Sequence, residues 1–407
     1  MYCIGTDEAG YGPRLGPLVI SAAVWQLPDT LLLEQMYQRL SHLIQPRPSR
    51  GRPCPGSKGS DAVPQAMHSA TSDRSPQKPA EDQQAQDGFC SVRSGSLSVR
   101  SATPSRSWSK DGLPLVVADS KLLYDRQKGP ASLEPTVLTL LAVAGQQVHD
   151  WTSLLRQVAF DPASHESALA WYPQHWPRVP QISLPEEILG LAERLQAALA
   201  EEGIRVLGLR SLLLFPERFN QLLSHYGNKA TLLSCQTLQL VKGLLAQLPP
   251  GPVQVVCDKH GGRDQYENLL IQAFFPSESA HPWPSTGRRA NRTKTRPGGP
   301  SLFQVHPVQI VRQSRQESIY HIRAEHREIT FRFICRGEAL LPVALASMLS
   351  KYLRELAMEA WNRFWVALAP GIRPTAGYPQ DARRFRSQIA AQQAELGIPD
   401  SAIWRNR

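Results

Sequence analysis

Asp7 and Glu8 stand side by side at the end of a short β-rich run, YCIGTD (2–7), and lead straight into the turn EAGYGPRLGP. Neighbouring strand residues point to opposite faces, so one site takes both carboxylates only where the chain bends. Gly10 and Gly12 permit such a bend and leave backbone N–H groups open to close approach. A surface hairpin with solvated acids has the same look. Asp258 ends a second apolar run, VQVVCD (253–258), and opens another glycine turn, DKHGGRDQY. An acid at the carboxyl end of a buried strand often marks a site in α/β sheets, although Asp also initiates ordinary turns. Glu355 stands on a long helical stretch, with Ser347, Lys351 and Arg354 near it and Glu359 one turn on. Together these acids form an all-oxygen ligand set without His or Cys, which suits Mg²⁺ or Mn²⁺. Two such ions roughly 4 Å apart activate a water and stabilise the leaving oxygen of a phosphodiester. Without metal, clustered carboxylates repel and take up protons.

The elements that must position these residues read as α/β. YCIGTD and LVISAAVW (18–25) are strands, and LPLVV (113–117) is a third, shorter one. A helix is expected from about Asp29, with Leu33, Met36, Leu40 and Leu43 as its apolar stripe. Ser183 and Glu186 have the spacing of a capping box, and the helix they open stops at Gly203. Helices over 216–226 and 229–248 meet at Gly227-Asn228. VQIVRQSRQ, SIYHIRAE and ITFRFICRG alternate with period two and predict an antiparallel meander. Pro342 opens a helix to about Val366, with Leu345, Leu349, Leu353 and Leu356 on one side.

GTDEAGYGPRLGP resembles the opening motif of the type 2 ribonucleases H (ribonuclease HII), DEAGRG followed by GP. ADSKLLYDRQ (118–127) is similar to that family's DSK segment with its downstream Arg. ALASMLSKYLREL (344–356) resembles its AAASI-AKV-RD helix, RGEA (336–339) falls where it has GDA, and TAGYPQDARR (375–384) resembles a GYP-D motif. Five motifs in family order cover nearly the whole chain outside two insertions. The resemblance implies a ribonuclease H-like fold, a mixed sheet of about five strands flanked by helices, with a C-terminal helical extension. It implies a metal-dependent endoribonuclease of ribonuclease H type that cuts RNA in RNA–DNA hybrids and leaves 5′-phosphate and 3′-hydroxyl ends. A non-catalytic nucleic-acid-binding relative is the alternative. Carried over position by position, Asp7, Glu8, Asp258 and Glu355 become the catalytic acids that hold two divalent ions, Mg²⁺ or Mn²⁺. Gly10, Tyr11 and Gly12 become the loop that reads the ribose 2′-hydroxyl. Ser120 and Lys121 become phosphate contacts, and Tyr378 packs on the sugar at an RNA–DNA junction. Two departures stand out: Glu355 replaces an Asp, and Tyr11 replaces an Arg.

Composition sets the remaining expectations. The chain has 407 residues, 42% hydrophobic and 20% charged, enough for a sizeable core. Net charge is +10, but residues 45–110 hold ten Lys/Arg against five Asp/Glu, and 276–303 hold five against one. The basicity therefore belongs to two segments and not to the fold. Residues 45–112 and 277–301, rich in Pro, Ser, Arg and Gly, are read as disordered insertions in a catalytic domain spanning 1–366. Residues 367–407 form the substrate-contacting extension. Six cysteines without CxxC or zinc-ligand spacing fit a reducing compartment. No run reaches the ~18 apolar residues of a membrane span, and no signal segment is apparent. The expectation is a cytoplasmic protein with no membrane role and no obligate protein partner, acting on RNA–DNA hybrids or on DNA with embedded ribonucleotides.

Overall fold

A computed structural model describes residues 1–46, 114–161, 172–276, 306–324 and 326–406. All of the expected insertion 277–301, and all of 45–112 except residues 45 and 46, lie outside these residues. At the edges of the first, Ile44–Gln45 pairs in parallel with Leu115–Val116.

The chain forms one seven-stranded mixed sheet. Its strands are β1 (Tyr2–Ala9), β2 (Leu18–Gln26), β3 (Arg205–Leu214), β4 (Val253–Asp258), β5 (Val308–Gln313), β6 (Glu317–Ala324) and β7 (Arg327–Ile334). Their order is β3-β2-β1-β4-β7-β6-β5. β1 pairs antiparallel with β2 and parallel with β4, and β4 pairs parallel with β7. A mixed sheet flanked by helices, with helices at the C-terminal end, is the expected fold class. It carries two strands more than expected, because the meander β5–β7 joins the sheet through β7.

Strand alternation sorts the side chains into two cores. Cys3, Val19, Ala23, Trp25, Leu209, Leu213 and Val256 pack on one face, with helices α1 (Glu134–Val143), α2 (Trp151–Val158), α3 (Pro185–Glu201) and α7 (Leu341–Leu368). Ile4, Ile20, Val24, Leu212, Val255 and Cys257 pack on the other, with α4 (Pro216–Tyr226), α5 (Lys229–Leu245) and α6 (Glu267–Phe274). Helix α8 (Pro379–Glu395) adds Phe385 and Ile389 to the first core. Burial on both sides explains the near-continuous apolar runs of β2 and β3.

α7 lies unusually close to β1. A Cβ on Gly5 would sit 2.3 Å from the Pro342 carbonyl carbon, so only glycine fits at this crossing. The supposedly polar side of α7 is not solvated: Ser347 and Arg354 are each 2% exposed. Most of the helix is covered, and Arg363, Ala367 and Leu368 are exposed toward its C-terminal end.

Three local expectations are corrected. The stretch after Asp29 forms only the short turns Leu33–Gln35 and Met36–Arg39, although its apolar residues are buried. Ser183 does not cap α3, which starts at Pro185 after Leu184 with no side-chain cap. The buried Glu134 carboxylate explains why. It accepts the Gln181, Ile182 and Ser183 N–H groups and the Tyr352 hydroxyl, and so fixes the chain ahead of the helix. The strand of 113–117 shrinks to Leu115–Val116 and joins the small bridge instead of the main sheet.

Candidate metal centre

The site follows from the register of two parallel strands. Thr6 of β1 lies beside Cys257 of β4, so the next residues along, Asp7 and Asp258, come together at the same end of the sheet. Asp7 and Asp258 share the α7 face with Cys3 and Val256. Neighbouring strands are ~4.8 Å apart, so such side chains meet. The third acid comes from the turn after β7. Arg336 takes left-handed backbone geometry (φ 62°), and the turn Gly337–Ala339 follows. Gly337 N–H donates to Asp258 Oδ1 at 2.9 Å. A Cβ on Gly337 would press on the Asp258 backbone at 3.3 Å, so the missing side chain is what lets Glu338 approach. Carboxylate oxygens of Asp7, Asp258 and Glu338 all lie within 4.8 Å of one another.

Glu8 is not one of the converging three among the described residues but belongs to the same electrostatic field. Pairing of β1 with β4 stops at Thr6–Cys257, whereas pairing with β2 runs on to Ala9–Val19. Burial raises the Glu8 carboxyl to about 8, with the Asp258 and Glu338 charges adding to it and Lys121 opposing. Burial, then Glu8 and Glu338, hold Asp7 well above the usual carboxylate range, against a hydrogen bond from Ser347. Asp258 is raised by burial and by Glu338, partly offset by the Gly337 and Lys259 amides. Lys121 Nζ lies 3.4 Å from Glu338 Oε1, but its side chain is 78% exposed, and a solvated pair of that kind contributes at most ~1 kcal/mol.

Four acids with one loosely held cation make an unneutralised site. Its donors are all oxygen, which fits Mg²⁺ or Mn²⁺. A pH dependence follows from the raised carboxyls. Between about pH 4.5, where Glu8 titrates when unfolded, and about 8, where it titrates in the fold, the native state holds the extra proton. Metal-free stability should therefore fall as pH rises through this window, and a divalent cation should remove the slope. Thermal melts from pH 5 to 8.5, in EDTA and in Mn²⁺, check this. A flat metal-free profile would contradict the unneutralised cluster.

Glu355 has other partners. Lys351 Nζ and Arg354 each donate to its Oε1 at 2.8 Å, and the Tyr124 hydroxyl donates to Oε2 at 2.8 Å. Burial works to raise its carboxyl, but Arg354 and Lys351 with these hydrogen bonds outweigh it and hold it low. Glu355 is therefore neutralised, and among the described residues it is not one of the converging three.

The predicted substrate contacts surround the acids. Ser120 and Lys121 open a one-turn helix, Ser120–Leu123, whose N-cap Asp119 accepts the Lys121 N–H. Ser120 is buried, and its Oγ accepts from Ser347 Oγ at 3.0 Å, which ties this turn to α7. Gly10 has φ +91°, and a Cβ there would lie 2.5 Å from the Pro17 carbonyl oxygen. Tyr11 is half-buried, with its hydroxyl against Gly261, where an added Cβ would lie 2.9 Å away. Tyr378 is 55% exposed and comes within 3.9 Å of the Cβ position of Gly12. His260, in the turn after Asp258, is a core residue. Its Nδ1 is 3.0 Å from Ser234 Oγ, and burial lowers it to about 3, so it is neutral.

No protein-family profile and no curated protein matches the chain. Among solved structures, the chain is similar to the ribonuclease H2 from Pyrococcus horikoshii OT3. Identity is 11%, over 99% of this chain and 92% of that one, with a TM-score of 0.36. Bst-RNase HIII in complex with Mn²⁺ aligns at 13% identity, over 100% of this chain and 66% of that one, with a TM-score of 0.32. Scores of this size decide nothing by themselves.

The four described cysteines are free thiols, and Cys3, Cys235 and Cys257 are buried. No helix among the described residues is long and apolar enough to cross a membrane.

Proposed function

We propose that the chain is an endoribonuclease that hydrolyses the RNA strand of RNA–DNA hybrids, leaving 5′-phosphate and 3′-hydroxyl ends. The observation that carries this reading is the meeting of Asp7, Asp258 and Glu338 within 4.8 Å at one end of the sheet, with the largely exposed Lys121 as their ion-pair partner among the described residues. Asp7, Glu8, Asp258 and Glu338 would hold two divalent ions. The resemblance puts Glu355 in the fourth position, and the geometry favours Glu338. When bound, Mg²⁺ or Mn²⁺ supplies water activation and charge stabilisation at a phosphodiester. The chain's own residues supply position. Lys121, with its exposed amine beside Glu338, faces the backbone phosphate, and buried Ser120 anchors the turn that carries it. Gly10, Tyr11 and Gly12 lie against the ribose and offer backbone amides to its 2′-hydroxyl, the group absent from DNA. Tyr378 presents an exposed ring to the sugar. On this reading residues 1–366 are the catalytic domain and 367–407 the substrate-contacting extension, although α7 runs unbroken to Leu368.

Cleavage of two duplexes in Mg²⁺ and in Mn²⁺ tests the proposal, one with an all-RNA strand and one with a lone ribonucleotide. We expect a nick on the RNA side in at least one pairing, with 5′-phosphate and 3′-hydroxyl product ends that a ligase reseals directly. Neutralisation of Glu355 by Lys351 and Arg354 favours a second reading, a hybrid-binding protein without efficient turnover. Binding without cleavage in both metals selects it.

A further inference from the structure

Arg405 lies at the other end of the sequence from Asp7 and Glu8, yet its side chain ends beneath the glycine turn beside them. It is 0% exposed. One terminal nitrogen donates to the Gly10 carbonyl at 2.6 Å and also to the Pro13 carbonyl. The main chain joins in: Arg405 N–H donates to the Arg14 carbonyl at 2.9 Å, and Arg14 Nη1 donates to the Arg405 carbonyl at 2.8 Å. The segment around Arg405 is itself fixed. The guanidinium stacks over Phe219 at 4.8 Å, and Asn220 donates to the Trp404 carbonyl and accepts the Asn406 N–H.

The electrostatics run against placing a cation here. Arg405 has no carboxylate partner among the described residues, and its Nε and Nη1 are buried without any hydrogen-bond partner. Burial, with Arg354 and Arg14 nearby, pulls its pKa down to about 9. A buried donor left unbonded calls for an explanation, and an apolar residue of similar length would fill the space without that cost. The guanidinium's two bonds both go to carbonyls of the turn, so the explanation lies there.

Turning the Gly10 carbonyl inward fixes the next amide. In a trans peptide the C=O and the following N–H point in opposite directions. With Gly10 O held on Arg405, the Tyr11 N–H is aimed away from the protein interior, and it has no acceptor among the described residues. The Arg14 N–H is in turn satisfied by the Gly377 carbonyl at 2.7 Å, so the far end of the turn is pinned. The turn is thereby held from behind by a cation and presents a bare donor in front, three residues from Glu8. We propose that Arg405 is a positioning residue: by holding the Gly10 and Pro13 carbonyls it orients the Tyr11 amide as a hydrogen-bond donor to an oxygen of the nucleic-acid strand at the acid cluster. This rests on the hybrid-binding reading above.

The test uses the full-length chain with Arg405→Met, which keeps volume but has no donor, and Arg405→Lys, which keeps charge but not the planar fork. Two measurements are made in EDTA, so that chemistry plays no part. The first is amide exchange at Arg14 and Leu15, both bonded to the Gly377 carbonyl. The second is the affinity for a duplex with one ribonucleotide and for its all-DNA counterpart. In Arg405→Met, exchange at both amides should quicken, and the ribonucleotide duplex should bind about tenfold more weakly, the scale of one lost hydrogen bond. The all-DNA duplex should change less than about twofold if the oxygen is the ribose hydroxyl, and equally if it is a phosphate. Arg405→Lys should lie between parent and Met. A ratio of the two affinities can move only through the turn, because general loss of fold weakens both. Unchanged exchange and unchanged affinities in a folded Arg405→Met protein overturn the proposal. Should Arg405→Met not fold, the same outcome in Arg405→Lys overturns it. A parent that binds neither duplex defeats the hybrid-binding reading instead, while the exchange data still show whether Arg405 holds the turn.

Discussion

Asp7→Asn is expected to abolish cleavage, by on the order of 10³-fold or more, while making the metal-free protein more stable. The two effects share one cause. Asp7 is buried among Glu8, Asp258 and Glu338, and its carboxyl is pushed far above the usual range by burial and by those charges. An amide of the same shape removes the ionisable carboxyl from the cluster and keeps a hydrogen-bonding partner for Ser347. Relief of that repulsion is worth roughly 1–2 kcal/mol at pH 8, or about 2–4 °C in the melting temperature. At pH 5, well below the value of about 8 to which Glu8 is raised, the gain should shrink. The stabilisation that Mn²⁺ gives the parent should be lost in the variant, since an amide is a poorer ligand than a carboxylate. Calorimetry of both proteins with and without Mn²⁺, beside the duplex assay, measures all of this. An Asn variant that is less stable than the parent at pH 8 would mean that Asp7 is a structural acid already compensated by its surroundings.

Much of this site was readable in the sequence, and the reasons are local. Asp7 and Asp258 each follow an apolar run and precede a glycine turn, and β1 and β4 form where those runs predict. The meander β5–β7 announces itself by alternation, and α7 by its spaced leucines. β3 was not read. Its run RVLGLRSLLL, between two clear helices, is apolar on both faces and lacks the period-two signal, because α1 to α3 cover one side and α4 and α5 the other. Glu338 stands in a motif that the sequence does show, RGEA. Its convergence with Asp7 depends on the left-handed Arg336 and on the closeness of Gly337 to Asp258, neither of which is a pattern in the chain. Arg405 carries no local signal either, since its partners lie at the other end of the sequence. What spacing along one element determines is legible; what depends on two distant elements touching is not.

The choice between Glu338 and Glu355 as the remaining acid is the sharpest test of the site, because their environments predict opposite phenotypes. Glu338→Gln removes an oxygen donor from an unneutralised cluster. It should leave folding intact or slightly improved, weaken Mn²⁺ binding by about 10- to 100-fold, and lower cleavage in proportion. Glu355→Gln removes the counter-charge of Arg354, which is 2% exposed, and of Lys351. Breaking a buried pair by deleting one partner typically costs about 3–5 kcal/mol, and the melting temperature should drop by several degrees. The sign with pH also differs. Glu355 is held below its ordinary range, so its contribution to stability is present above about pH 4.5 and is lost as pH falls through its folded value. The Glu355→Gln protein should therefore differ most from the parent at neutral pH and converge on it in acid. Glu338→Gln should keep the parent's acid behaviour. Isothermal titration with Mn²⁺ and melts at pH 4 and 7 on both variants separate the cases. If Glu355→Gln keeps its melting temperature but loses Mn²⁺ binding, while Glu338→Gln binds Mn²⁺ like the parent, then Lys351 and Arg354 release Glu355 to the metal and Glu338 is the bystander.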